Sequence, residues 1–441
     1  MDSKERLRLL QLKLYLKAKQ EEDYKFYVLY DKISLEYVLR RAYSRCYAKG
    51  GSPGVDGMTF KDVGEYGVEK FLKELGEELR TRTYKPSPVK RVWIEKDNGG
   101  KRPLGIPTIK DRVAQQACKM VIEPIWEADF DDSSYGFRPK RSASEAVKQI
   151  KENLKSGMHD IYDADLSKYF DTIPHDKLEI ALKERITDPR VIHLIKLWLQ
   201  APIAEEDGRY TGGKGNNQGT PQGGVISPLL ANIYMNLIDR IVNKVGGYYA
   251  RQGIRMLRYA DDFILMSRHI GQDSLDKLHR YIERMGLIIN EEKSKKVKAK
   301  EQPFDFLGFT FRYDRSIYDK DRRYWNVVPR AKSEKKIRQN INARLKLIGH
   351  MPAEFIPHEL NPIIRGWMNY YKIDGVSYTQ VAFRKLDNYL RNRLHRYYNR
   401  KSQRKSNLHG QQAYELLTRK HGLIVPYQTS GILPVNAVRR K

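Results

Sequence analysis

The period of the apolar positions changes along the chain, and the changes divide it. Over residues 1–48 apolar side chains recur at helical spacing, Leu7, Leu10 and Leu14 early and Leu35, Val38, Leu39 and Ala42 later, which predicts helices with one buried face. The run Lys49-Gly-Gly-Ser-Pro-Gly-Val-Asp-Gly57 breaks that pattern as a loop. Residues 84–110 read as a strand pair, Val89 to Ile94 and Leu104 to Pro107, turned at Asp97-Asn-Gly-Gly100. Residues 111–128 return to helical spacing, and Tyr135 to Arg141 forms a compact basic loop. From 158 to 312 strand and helix patterns alternate, the signature of an α/β or split-βαβ domain. Beyond about residue 330 strand signals fade, and basic helical segments run to about 405, followed by a weakly patterned tail.

Composition narrows the partners. With 441 residues and 40% hydrophobic content, the chain can bury two or three cores. Lysine and arginine total 82 against 54 acidic residues, a net charge of +28. Such a surface repels itself without a polyanion, so nucleic acid is the expected partner, ahead of an anionic membrane. No segment approaches the roughly 18 uncharged apolar residues of a membrane span, and MDSKERLRLLQLKLYLKAKQ lacks a signal-peptide core. Cys46 and Cys118 are the only cysteines, which argues for a reducing compartment and against a Cys-rich zinc site.

The chemistry concentrates in three segments. In Met256-Leu-Arg-Tyr-Ala-Asp-Asp-Phe-Ile-Leu-Met266, Asp261 and Asp262 sit between two strand-forming runs. Neighbouring side chains on a strand point apart, so both can meet one cation only if the chain turns between the runs. Upstream, His159 to Leu166 carries Asp163 and Asp165 on one strand face, where either could cap the turn that follows. One strand-end aspartate plus the adjacent pair would form a three-carboxylate cage, which suits two Mg²⁺ ions. Between these strands, Gly219-Thr-Pro-Gln-Gly-Gly-Val-Ile-Ser-Pro228 reads as a loop entering a helix. Its amide side chain can bond a sugar or base edge, and Gly223 and Gly224 permit close backbone approach.

Together these segments resemble reverse transcriptases. Asp165 with Phe170-Asp171, the Gln222 loop, Tyr259-Ala-Asp-Asp262, Gly286 to Lys293 and Phe306-Leu-Gly-Phe309 occur in that family's order. Gly54-Val-Asp-Gly57, Lys101 to Pro107, Tyr135 to Pro139 and Leu360 to Lys372 are similar to the bacterial group II intron branch. The resemblance implies an α+β fold, a right-hand polymerase with fingers and an RRM-like palm carrying an antiparallel sheet, then an α-helical thumb or maturase domain. The expected divisions are 1–155 for an N-terminal helical extension and fingers, 156–328 for the palm, 329–405 for the thumb and 406–441 for a tail.

The resemblance also assigns roles. Asp165, Asp261 and Asp262 would be catalytic and would hold two Mg²⁺, with Mn²⁺ as a substitute and the Leu166 carbonyl assisting. Lys96, Arg102, Phe170, Gln222 and Lys293 would bind the dNTP, with Phe170 excluding a 2′-hydroxyl. Tyr259, Leu307 and Gly308 would lie at the primer and template. Arg391, Arg393, Arg396, Arg400 and Lys401 occupy the faces that Leu386, Leu390, Leu394 and Tyr397 leave free, and a basic helix of this kind can track a phosphate backbone. The partners implied are an RNA template, a DNA or RNA primer and group II intron RNA, in the bacterial cytoplasm or nucleoid and away from membranes. Two other roles fit the same resemblance, a splicing maturase with secondary polymerase activity and a domesticated enzyme in phage defence, repair or spacer acquisition. Many intron-encoded relatives end in a nuclease with paired cysteines; here only His409 and His421 follow the thumb segment, with no cysteine, so that nuclease is not expected.

Overall fold

The computed structural model describes residues 2–95, 99–316, 319, 321–399 and 408–428. Its strands are β1 (Val89–Glu95), β2 (Lys101–Ile106), β3 (Asp160–Ala164), β4 (Pro202–Ala204), β5 (Tyr210–Gly212), β6 (Arg255–Tyr259), β7 (Asp262–Ser267), β8 (Lys295–Lys298), β9 (Phe304–Phe306), β10 (Phe309–Arg315) and β11 (Arg323–Pro329). Helices make up most of the rest, giving a mixed α and β protein. One four-stranded sheet has the order β6-β7-β3-β8. In chain order these strands run β3, helices, the β6-β7 hairpin, the helix Gln272–Arg284 and β8, which is the split-βαβ arrangement. Every residue of β7 after Asp262 is buried, as its unbroken apolar run requires of a strand covered on both faces.

The chain packs as two compact units, Met1–Ser142 with Tyr162–Lys295, and Ala143–Ile161 with Lys296–Lys441. In the first, a mixed sheet of order β2-β1-β4-β5 joins β1 antiparallel to β2 and parallel to β4. The helices Ile109–Glu127 and Ser227–Asn243 bury residues on nearly every face and so form the centre of the core. The first starts where the Thr108 hydroxyl accepts from the Asp111 amide at 3.2 Å, a side-chain cap for an otherwise orphaned donor. The stretch read as helical over 1–48 is three helices, Ser3–Gln20, Tyr30–Ile33 and Glu36–Lys49. It breaks because the backbone bonds elsewhere: the Phe26 amide donates to the Arg185 carbonyl at 2.8 Å. The Leu29 and Tyr30 amides likewise donate to the buried Asp188 carboxylate at 2.8 and 2.9 Å.

The second unit holds the sheet β11-β10-β9. Its β9-β10 hairpin closes through Leu307-Gly308, both at positive φ (49° and 79°), the conformation that matches strand twist in a two-residue loop. The helices Ala331–Ile348, Phe355–Tyr371 and Gln380–Tyr398 bury Ile337, Ile341, Leu345, Leu360, Leu386, Leu390 and Leu394 in a shared core. The segment read as a weakly patterned tail adds a helix, Ala413–His421, whose Tyr414 and Leu417 join that core. No helix among the described residues is long and apolar enough to cross a membrane.

Candidate active site

The β6-β7 hairpin turns through two residues only, with Tyr259 paired to Asp262 across Ala260-Asp261. Ala260 takes a φ of +60°, a position where glycine is normal and a Cβ costs about 1–2 kcal/mol. The surroundings enforce it. Arg258 Nη1 donates to the Ala260 carbonyl at 2.8 Å and to Asn232 Oδ1 at 2.9 Å. Its Nε donates to Asp239 Oδ1 at 2.9 Å, and both members of that pair are fully buried. Asn232 Nδ2 in turn donates to the Gly136 carbonyl at 2.7 Å. Gly136 lies so close to the turn that a Cβ would meet the Ala260 nitrogen at 2.3 Å. The strain therefore places both carboxylates at the hairpin tip, where adjacent strand positions alone would have separated them.

Asp165 follows directly after β3. Its amide donates to Ser294 Oγ at 3.1 Å, and its carbonyl accepts from the Asn290 amide at 2.8 Å. Lys293 Nζ lies 3.2 Å from Asp165 Oδ2. Leu166 is buried and bridges Ile289. Asp262 is open to solvent on one side, yet burial first, then the charges of Asp261, Asp165 and Asp163, push its carboxyl up to about 7. Burial likewise raises Asp261, with Arg102 opposing and Asp165 reinforcing the shift. Among the described residues no three carboxylate, histidine or cysteine side chains close into a finished metal cage. The site instead holds carboxylates near enough to destabilise one another's charge, with Lys293 against one of them. Hard oxygen donors under mutual repulsion are a set that a divalent cation neutralises, so the residues fit the metal.

The Gln222 side chain is held between two others. Its Oε1 accepts from Arg102 Nε at 2.7 Å, and its Nε2 donates to Asp171 Oδ1 at 3.2 Å. The loop is docked by backbone: the Gly105 amide donates to the Gln222 carbonyl at 2.6 Å. A Cβ on Gly223 would meet the Gly105 oxygen at 2.2 Å, so only glycine allows that approach. From beneath, the buried Gln115 accepts from the Val225 amide at 2.8 Å. Phe170 is buried, packs edge-on to Phe137 at 6.3 Å, and its carbonyl accepts from the Thr220 amide at 2.6 Å.

The first unit thus holds Asp165, Leu166, Asp261, Asp262, Tyr259, Phe170, Gln222, Arg102 and Lys293. Direct bonds tie Arg102 to Gln222 and Lys293 to Asp165, while Tyr259 is half-buried at the hairpin's closing pair. Leu307 and Gly308 belong to the second unit, where the Leu307 carbonyl accepts from Tyr370 Oη at 2.9 Å. There Arg391 is engaged internally, paired with Glu415 and stacked over Tyr414, whereas Arg396 is exposed and Arg393 half-buried. Lys96, Arg400 and Lys401 lie outside the described residues. Sequence reasoning missed Arg258, Asp239, Asn232, Gly136 and Gln115, which touch no predicted ligand and hold the parts that would.

Family matches place this chain among the RNA-directed DNA polymerases. Residues 94–311 match the family described as reverse transcriptase (RNA-dependent DNA polymerase), and residues 324–414 match the group II intron maturase-specific domain. The chain belongs to the reverse transcriptases, in the group that carries this maturase domain. It is similar to protein YkfC of Escherichia coli K12, at 33% identity over 68% of this chain and 86% of that protein. The group II intron-encoded protein LtrA of Lactococcus lactis is 29% identical over 62% of this chain and 55% of its own length. The putative COX1/OXI3 intron 1 protein of Saccharomyces cerevisiae is 29% identical over 62% and 38% respectively. The chain therefore spans about half of the LtrA protein. The two domains imply binding of an RNA template and of intron RNA, and the family works with a divalent metal, typically Mg²⁺.

Proposed function

We propose that the chain extends a DNA or RNA primer with dNTPs on an RNA template and also assists splicing of a group II intron RNA. The observation that carries the polymerase reading is the strained Ala260 turn, which sets Asp261 and Asp262 where Asp165 raises their cost of ionisation. Asp165, Asp261 and Asp262, with the Leu166 carbonyl, would hold two Mg²⁺. Bound there, the ions would supply Lewis acidity for in-line displacement at the α-phosphate. The chain's own side chains bind and orient. Arg102, already bonded to Gln222, offers a planar fork to triphosphate oxygens. Gln222 sets the sugar, Phe170 blocks a 2′-hydroxyl, and Lys293 turns from Asp165 toward the incoming phosphates. Lys96, outside the described residues, belongs to the same nucleotide-binding set, and Tyr259, Leu307 and Gly308 contact the primer.

On this reading residues 1–155 act as extension and fingers, 156–328 as palm, 329–405 as thumb and 406–441 as a tail. The splicing role is supported by the maturase-domain match and the +28 charge, with Arg391, Arg393, Arg396, Arg400 and Lys401 as the RNA-binding set. Primer extension with an RNA template, dNTPs and Mg²⁺ tests the polymerase reading. The Asp261→Ala, Asp262→Ala double variant should lose all extension, and full activity in it would end the assignment. Splicing assistance should survive that double variant and fail when Arg393 and Arg396 are neutralised.

A further inference from the structure

On the helix Gln380–Tyr398, the residues Tyr389, Asn392, Arg393 and Arg396 recur at the i, i+3, i+4, i+7 spacing of one helix face. With Asn342 of the helix Ala331–Ile348 they line a groove within the second unit. The face beside it, Leu386, Leu390 and Leu394, is buried with Ile341 and Leu345 in the ordinary way. The groove is different, because polar atoms in it are buried and unmatched: Asn342 Oδ1 and Arg393 Nε have no hydrogen-bond partner among the described residues. A buried polar atom left in that state costs about 1–3 kcal/mol, and two of them line this one groove. Tyr389 is fixed in the wall, its hydroxyl donating to the Arg338 carbonyl at 2.9 Å. Arg396 stands exposed at the rim.

We infer that this groove receives a single unstacked base of single-stranded RNA, with adenine preferred. Two carboxamides, each offering a donor and an acceptor, match the paired donor and acceptor on an adenine edge. An aromatic ring and a guanidinium plane supply the flat surfaces on which splayed RNA bases stack. Arg396 at the rim takes the adjoining phosphate, where it adds affinity without sequence information. Duplex RNA presents no such edge to a groove of this kind, so the site reads a loop or bulge. The inference rests on the RNA-binding reading of this helix and adds base selection to it.

The test is fluorescence anisotropy with the full chain and labelled oligouridine carrying one central adenine, an abasic residue or no substitution. The adenine oligomer should bind about tenfold tighter than the other two, the discrimination one bidentate contact provides. Asn392→Ala and Asn342→Ala should each abolish that preference and leave oligouridine affinity unchanged. Arg396→Ala should weaken all three oligomers alike and reduce the salt slope by about 1. Equal binding of the three oligomers by the unaltered chain overturns the base site, as does a preference that survives both asparagine variants. Unchanged affinity and salt slope in an Arg393→Ala, Arg396→Ala variant would instead overturn the RNA-binding reading beneath it.

Discussion

Arg258 and Asp239 form a fully buried ion pair, with Nε to Oδ1 at 2.9 Å and Nη2 to Oδ2 at 2.5 Å. The same guanidinium holds the Ala260 carbonyl, so one residue both neutralises a core carboxylate and fixes the turn bearing Asp261 and Asp262. Removing only the arginine leaves Asp239 buried and uncompensated, and Arg258→Met should lose about 3–5 kcal/mol in urea denaturation. Adding Asp239→Leu should restore most of that stability, because an apolar pair can replace a buried ionic one. Activity should not return. With the turn released, kcat in primer extension should stay about a hundredfold down in both variants, the scale of a small misplacement of reacting groups. A double variant with near-normal kcat would show that Arg258 serves stability alone.

That division explains what the sequence makes legible. Asp261 and Asp262 stand out because charge interrupts two apolar runs, and the Gln222 loop because glycine and proline mark it. The split-βαβ alternation is read from period alone, and the sheet order β6-β7-β3-β8 agrees with it. The supports are not legible in this way, since Asn232, Asp239, Gly136 and Gln115 act across long stretches of chain. One signal was available: Arg258 interrupts an apolar strand, and Asn232, Asn236 and Asp239 interrupt an apolar helix. Buried polar residues in such runs need partners, and Arg258, Asp239 and Asn232 are one another's. The helix break near Phe26 depends on Arg185 and Asp188, which no local pattern announces.

Gly136→Ala tests the turn from its other side. The added Cβ would meet the Ala260 nitrogen at 2.3 Å and the Tyr259 carbonyl carbon at 2.9 Å, both backbone atoms, so the hairpin tip must shift. Extension rate should fall about a hundredfold, while RNA affinity in a binding assay without dNTPs stays unchanged. A variant with full extension rate would mean that the tip tolerates displacement.

Phe170 is buried against Phe137 and its carbonyl accepts from the amide of Thr220 in the Gln222 loop. Trimming the ring to Phe170→Val keeps the backbone bond and, on the proposed nucleotide-binding role, opens space where the sugar would sit. Discrimination between dNTP and NTP, measured as the ratio of kcat/KM values, should narrow by about tenfold or more. The dNTP reaction itself should change less. If the ratio is unmoved, Phe170 is a packing residue and the sugar is sorted elsewhere.

Lys151 supplies a pH test confined to the second unit. Its Nζ donates to the carbonyls of Val376 at 2.6 Å and Gly375 at 3.3 Å, and the side chain is buried. Burial, with Lys155 adding repulsion, pushes it down to about 8 from 10.5. Between those two values the unfolded chain binds the proton and the folded chain does not, so this residue makes stability rise as pH increases. Below about pH 8 both states are protonated, and the full cost of the buried charge remains. Relative to Lys151→Met, which has no proton to exchange, the unaltered chain should gain about 1–2 kcal/mol between pH 8 and 10.5. That figure is less than the whole shift allows, because the two carbonyls and residual solvent screen the charge. Denaturant unfolding of both proteins across that range measures the difference, and a difference that does not vary with pH would show Lys151 to be ordinarily solvated.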